Sequence, residues 1–250
     1  MTDCRHATHP ALWKRLCHLS LLLGVAVAVG TVAATIVRVS VAQAQTPPVF
    51  QRAQPGVWSS AAKYLWPGPT AVAGFPLGGR NIVVVSPGGA IETRVTNIEL
   101  TLVDRNRPTR FAQTSIPIAS LAEILWARDS DAFALTQSDG GWVGTWSVRL
   151  YRLGPAGLSE SDPGRLVLSD FKQLFPRCLD EYANVAAIGW VDGSRRLRLV
   201  VEMPCHSSCT DMCRVAGYVV DTAGGVVLER LPETTLRRAW KAAIGSRLRP

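Results

Sequence analysis

The chain has 250 residues, 47% of them hydrophobic, and its 27 basic against 19 acidic side chains give a net charge of +8. Four of the basic residues and one of the acidic lie in residues 1–44, which leaves 23 and 18, a net +5, on the remaining 206 residues. That balance is mild, and it lacks the basic surface interleaved with aromatics that a nucleic-acid binder presents, so nucleic acid is not an expected partner.

Residues 1–44 have the layout of a secretion leader. Arg5, Lys14 and Arg15 precede a run, 19–37, that carries no charge, and Ala42-Gln43-Ala44 offers the small residues a signal peptidase requires, so the mature chain is expected to begin at Gln45. An uncleaved N-terminal membrane anchor is the alternative, because 19 uncharged residues just reach the span of a bilayer. Cys17 stands before the apolar run, where a lipoprotein signal would not put it. No later stretch is long and apolar enough to cross a membrane, so no stable span is expected after cleavage and the location is expected to be periplasmic or secreted. The chain beyond the leader is long enough to bury a core and reads as one domain, 70–250, behind a Pro-rich extended lead-in, 45–69.

From residue 81 onward, short alternating runs are separated by Gly, Asp and Ser turns. Residues 81–86 read as a strand, and Pro87-Gly88-Gly89 turns the chain. Ile91, Thr93 and Val95 keep one phase while Ile98, Leu100 and Leu102 keep the other, so a bulge or break is expected near Thr96-Asn97.

An internal repeat is the most informative pattern. Moving Ile124, Trp126, Ser130, Phe133 and Leu135 forward by 64 positions lands on Ile188, Trp190, Ser194, Leu197 and Leu199 with no gap. Each copy carries a turn between two strands, 128–131 and 192–195, which predicts a hairpin. In the first copy Ser138-Asp139-Gly140-Gly141 leads into a strand at 145–152, with Trp146, Val148 and Leu150 on one face. In the second, a strand at 215–221 follows a Cys-rich insertion, and Ala223-Gly224-Gly225 turns into 226–231. Each repeat unit, near 122–168 and 185–231, is therefore a meander of three or four antiparallel strands.

Trp126-Ala127-Arg128-Asp129-Ser130 with Phe133-Ala134-Leu135, and Tyr218-Val219-Val220-Asp221 with Gly224-Gly225, resemble the strand-turn-strand units of WD40-like, TolB-type β-propeller blades. The resemblance spans 122–231 and implies a scaffold for binding; it carries over no catalytic residue. Propellers use about four to eight four-stranded blades, whereas this chain holds two clear units and a third, degenerate one at 70–103. The expected fold is thus mainly β, with antiparallel blade-like meanders arranged as an incomplete propeller or open sandwich, or closed by another copy of the chain, and a short C-terminal helix.

Four cysteines lie beyond the leader, Cys178, Cys205, Cys209 and Cys213, and His206 is the only histidine there. In an oxidising compartment an even count predicts two disulfides, for which three pairings exist. A hairpin over 185–204 would bring Cys178 to Cys205 and leave Cys209 and Cys213 to close a short loop. The competing chemistry is a zinc or copper site built from Cys205, His206, Cys209 and Cys213. Its Cys-x3-Cys-x3-Cys run has a single distant partner, which is not the paired-knuckle spacing of zinc sites, so no metal and no cofactor are expected.

Catalysis finds little support. A Ser-His-acid device has only His206 to use, beside Ser207 and Ser208. The acid pairs Asp129 and Asp131, or Glu160 and Asp162, fit turns more simply than acid-base work. Two helices are expected. One, at 168–175, would pack Phe171 and Phe175; the other would place Leu236, Ala239, Trp240, Ala243 and Ile244 on one stripe against its own domain, with Arg237, Arg238 and Lys241 opposite. The basic C-terminal residues read as a solvated tail. Together these readings predict an exported, non-catalytic binding module whose partner is a protein or a cell-envelope component, with self-association also compatible; a secreted hydrolase or metal protein centred on 205–213 is the alternative.

Overall fold

Alternating apolar side chains and turn residues build an almost wholly β architecture. The computed structural model describes residues 50–52, 54–65, 81–96, 99–106, 110–116, 118, 121–140, 145–178 and 181–249; the expected leader, 1–44, with its expected cleavage motif, residues 66–80, Asn97 and Gly141 lie outside them. In chain order the strands are β1 (Phe50–Arg52), β2 (Gln54–Pro55), β3 (Lys63–Tyr64), β4 (Asn81–Val85), β5 (Ile91–Val95), β6 (Glu99–Asp104), β7 (Arg110–Ser115), β8 (Ala122–Trp126), β9 (Ala132–Ser138), β10 (Trp146–Gly154) and β11 (Gly157–Ser161). Helix α1 (Gly164–Leu174) comes next, then β12 (Asn184–Val191), β13 (Arg196–Glu202), β14 (Val215–Asp221), β15 (Val226–Pro232) and helix α2 (Glu233–Ala239).

These strands form three sheets, ordered β1-β4-β5-β6-β7, β11-β10-β9-β8-β3-β2 and β12-β13-β14-β15. Each contains one run of four consecutive antiparallel strands, and the only parallel pair among the described strands is β1 with β4. The phase change expected near Thr96 is the turn of the β5–β6 hairpin, whose last pair is Val95 with Leu100. The third meander, expected at 70–103, runs on through β7 to Ser115.

The 64-residue repeat holds in backbone register. Trp126 pairs with Phe133 and Trp190 with Leu197, the same step in both hairpins. The copies diverge two positions before each tryptophan. Ile124 pairs with Leu135, but Ile188 falls in a bulge between Ala187 and Gly189, and a bulge leaves one residue outside the ladder. The Ser59 hydroxyl donates to the Ile188 carbonyl at 2.7 Å, so a residue of the lead-in meets the unpaired group.

The first-hairpin turns of the three meanders are tied to one another. Gly88 donates its N–H to Ser130 Oγ at 2.9 Å, and Ser194 donates its N–H to Asp129 Oδ2 at 2.6 Å. Arg152 reinforces the second joint, reaching the Ser194 carbonyl at 3.0 Å and Thr222 Oγ1 at 2.7 Å. Gly193 sits at φ 66° against Asp129, a left-handed conformation in which any side chain would be strained and would strike the Asp129 carboxylate.

Apolar side chains pack in layers. Ile82, Val84, Leu100 and Leu102 of the first sheet meet Ile124, Phe133, Leu135 and Tyr151 of the second. Leu125, Ala134 and Val148 on the second sheet's other face meet Leu197, Leu199 and Tyr218 of the third, together with Val167 and Phe171 of α1. The far face of the first sheet mixes charge with valines: Arg94 pairs with Glu92, and Arg110 with Glu99 at 2.7 Å, in register with Val83, Val85 and Val103. The far face of the third sheet is apolar, and α2 with the lead-in covers it through Trp58, Leu236, Trp240, Ile244 and Leu248.

Two readings of the termini change here. The described part of the lead-in does not merely precede the domain, because Trp58 and Leu65 are fully buried and β2–β3 extend the second sheet. The basic C-terminal stretch is not a solvated tail. Its helix stops at Ala239, short of the expected stripe, because Ile244 is drawn into a β-bridge with Ser59 and Gly245 donates to the Trp58 carbonyl at 2.7 Å. Arg247 lies over the Trp58 ring at 4.5 Å. Helix α1 also begins earlier than expected, at Gly164.

Gly217 sets how closely α2 approaches β14. A methyl group there would lie 2.7 Å from Leu236 Cδ1 and 3.0 Å from the Trp240 ring. Gly217→Ala therefore destabilises the protein by about 1–3 kcal/mol through overpacking, read as a lower urea midpoint; an unchanged midpoint would show that α2 is not seated against this glycine.

Candidate functional site

The cysteine-rich loop joins β13 to β14, and the ladder between those strands fixes what it can do. Beyond the last strand pair, Glu202 with Val215, Met203 donates to the Arg214 carbonyl at 2.8 Å. Cys205 and Cys213 therefore stand opposite each other at the neck of the loop, and they are bonded, with Cα atoms 4.3 Å apart. Cys209, buried at the tip, folds back to Cys178 in the one-turn helix Pro176–Cys178 that succeeds α1. All four cysteines are oxidised, but the pairing differs from the expected Cys178–Cys205 and Cys209–Cys213. The β12–β13 hairpin does not bring Cys205 to Cys178, because the ladder continues past Glu202 and holds Cys205 against the start of β14.

A zinc or copper site built on these cysteines needs their thiolates, and the sulfurs of Cys205, Cys209 and Cys213 are all spent in S–S bonds. His206 is exposed in this loop. Ser207 and Ser208 serve the loop itself: the Cys209 N–H donates to Ser207 Oγ at 3.1 Å, and both the N–H and the hydroxyl of Ser208 reach Glu181. Among the described residues no three His, Cys, Asp or Glu side chains are gathered as a metal site. The acid pairs nominated from sequence are turn and surface groups: Asp129 caps the Asp131 and Ser194 N–H groups, and Glu160 and Asp162 both face Arg149.

The loop borders a cleft of about 640 Å³ that sequence reasoning missed. Leu174 and Phe175 form one wall, Val215 and Ala216 of β14 with Leu231 of β15 another, and Arg214, Arg230 and Arg237 stand at its sides. The Cys178–Cys209 bond ties the first wall to the loop that ends at Arg214. Arg230 is held by Asp170 of α1, and beneath that pair burial beside Asp170 pushes the Tyr218 phenol up. Arg237 pairs with Glu233 at 2.8 Å and also donates to the Leu248 carbonyl. On the other side of Arg237 lies a second cleft of about 670 Å³, lined by Lys241, Ala242, Ile244 and Arg249 with Arg237 itself. The available signal was the coincidence of a basic run with a helical apolar stripe at 230–249, which reads equally well as a docked helix with a cationic outer side.

A second buried ionisable group lies elsewhere. Glu123, in β8, is 1% exposed. Its Oε1 accepts the N–H groups of Val57 at 2.6 Å and Trp58 at 3.0 Å, while Oε2 has no hydrogen-bond partner among the described residues. Burial pushes its carboxyl up to about 7, against the opposing pull of those N–H groups. It fastens the lead-in to the second sheet and opens onto neither cleft.

No protein-family model matches the chain, and no curated protein does. Among solved structures it is similar to an acylaminoacyl peptidase of Pyrococcus horikoshii, with 14% identity and a TM-score of 0.31 over 61% of this chain and 23% of that one. It is also similar to a eukaryotic initiation factor, with 10% identity and a TM-score of 0.23 over 67% of this chain and 45% of that one. The chain thus spans less than half of either structure, and likenesses this slight carry no argument about fold or activity. Two disulfides fit an oxidising compartment, and no described helix is long and apolar enough to cross a membrane.

These geometries set two measurable outcomes. Because the folded carboxyl value is raised, Glu123 contributes its full stability below the ordinary value near 4.5 and loses it as the pH rises through about 7. Unfolding free energy should fall by about 1–3 kcal/mol across that window in the wild type and stay flat in Glu123→Gln, which keeps the acceptor oxygen; a slope surviving in the variant would assign it to another group. The Cys178–Cys209 bond closes 31 positions and Cys205–Cys213 closes 8. Replacing the first pair by serine should cost about 2–4 kcal/mol and replacing the second pair less, with denaturant titration reading the order; the reverse order would contradict the loop argument.

Proposed function

We propose that this chain is an exported, non-catalytic binding module, its meanders serving as propeller-blade-like scaffolding of the WD40-like, TolB-type kind and the Cys178–Cys209 end of the third sheet serving as its binding surface. One observation carries the reading. An apolar cleft flanked by arginines lies where a disulfide fixes both of its walls, and rigid walls reduce the ordering cost of binding. Residues around the cleft are already engaged in holding shape: Asp170 on Arg230, Glu233 on Arg237, and Tyr218 buried behind them. The disulfides and the leader-like first 44 residues support a periplasmic or secreted location, where a protein or cell-envelope component is the natural class of partner.

The test is residue-resolved binding. Isotope-labelled, fully oxidised protein is titrated by NMR with panels of peptides and of cell-envelope glycans. Shift changes are expected to gather at 174–175, 214–216 and 230–237, with the ligands unaltered. Hydrolysis of any panel member, or reduced thiols that carry stoichiometric zinc or copper, would overturn the reading in favour of the Cys205, His206, Cys209 and Cys213 alternative.

A further inference from the structure

The two clefts are neighbours that share Arg237. Five cationic side chains line them, Arg214, Arg230, Arg237, Lys241 and Arg249, and the one acid in either lining, Glu233, is already bonded to Arg237. Between the cations the surfaces are apolar, with Phe175, Leu231 and Ile244 among them. Arg214 is ion-paired with Asp211 at 3.9 Å and Arg230 with Asp170, but their side chains stay 58% and 45% exposed, and a guanidinium with five N–H groups retains donors for a further carboxylate.

The backbone beside the first cleft favours an extended ligand. The third sheet ends at β15, so among the described strands the outer edge of the segment carrying Arg230 and Leu231 has no neighbour in its sheet, and such an edge accepts an added strand. A bilayer fits poorly. To lie on lipid a helix must offer its apolar stripe, and that of α2 is spent on the third sheet, with Leu236 0% and Trp240 4% exposed.

We propose that the paired clefts receive an extended peptide segment in which acidic and apolar residues alternate, the carboxylates meeting Arg214, Lys241 and Arg249 while the apolar side chains enter the clefts on either side of Arg237. This rests on the binding-module reading and names its ligand class.

The experiment uses the full oxidised protein and a fluorescein-labelled synthetic peptide alternating glutamate and leucine, read by fluorescence anisotropy. Three comparison probes are a glutamine–leucine peptide, a peptide of glutamate alone, and phosphatidylglycerol vesicles. The glutamate–leucine peptide is expected to bind best, to weaken as salt is raised, and to lose roughly tenfold in affinity with Arg214→Glu or with Lys241→Glu combined with Arg249→Glu. All three positions are exposed, and a thermal melt confirms that the variants fold. Equal binding of the glutamine–leucine peptide overturns the acidic half of the proposal, and equal binding of glutamate alone overturns the apolar half. Preferential binding of the vesicles, or indifference to both charge reversals, overturns it altogether. The NMR mapping separates these failures from failure of the broader reading: a neutral ligand mapping to 174–237 would sink only the ligand class, whereas the absence of any cleft-directed ligand would sink both.

Discussion

The third sheet has an apolar outer face, and the architecture depends on covering it. An exposed apolar sheet face invites association or aggregation, and among the described residues no fourth sheet lies over it. Two segments from distant regions of the chain share the task. Trp58 from the lead-in and Leu236, Trp240, Ile244 and Leu248 from the C-terminal region form one cluster over Ala186, Ile188 and Val200. Their backbones are laced together by the Ser59–Ile244 bridge and by bonds from Gly245 to Trp58 and from Arg247 to Val57. Glu123 anchors the same lead-in from the other direction, accepting the Val57 and Trp58 N–H groups. At the opposite end of the stack the first sheet turns outward a face that mixes paired charges with valines. The third sheet's end of the described stack is thus covered, much as terminal repeats finish a solenoid.

The same covering creates the clefts. Helix α2 is short, and it leaves β15 at Pro232 to reach its seat against Gly217, so hollows remain on both sides of Arg237. The disulfide-bonded loop supplies the remaining wall of one of them. Cation placement and apolar lining at this corner thus arise from one packing solution, in which Arg237 stands between the two clefts because the helix that carries it is needed as a cover.

Much of the β framework is legible in the sequence because period-two alternation and turn residues are local signals. The Trp126 and Trp190 hairpins, the phase break at Thr96 and the strand at 215–221 are read from neighbouring residues, and the observed ladders agree. Relations that depend on partners far away are not legible. The cysteine pairing turns on whether the ladder continues past Glu202, which the sequence leaves open between two adjacent hairpins. Trp58 reads as belonging to an extended lead-in because nothing near it announces the surface that buries it. Glu123 is one glutamate in an otherwise apolar strand, and its role appears only once the Val57 and Trp58 N–H groups are known to face it. The clefts belong to the same class: their basic residues are plain in the composition, but concavity is a property of packing.

Ser60 and Ala243 are hydrogen-bonded across a separation of 183 positions. Such long-range closure is entropically costly and is completed late in folding. Until the region around residue 245 has emerged, it cannot lace Trp58 over the third sheet, so a growing chain leaves that part of the sheet's face uncovered until then. Folding of this protein is in that sense a clasp between two distant segments: the meanders can form piecemeal, and the joining of 57–60 to 243–247 is what seals the third sheet.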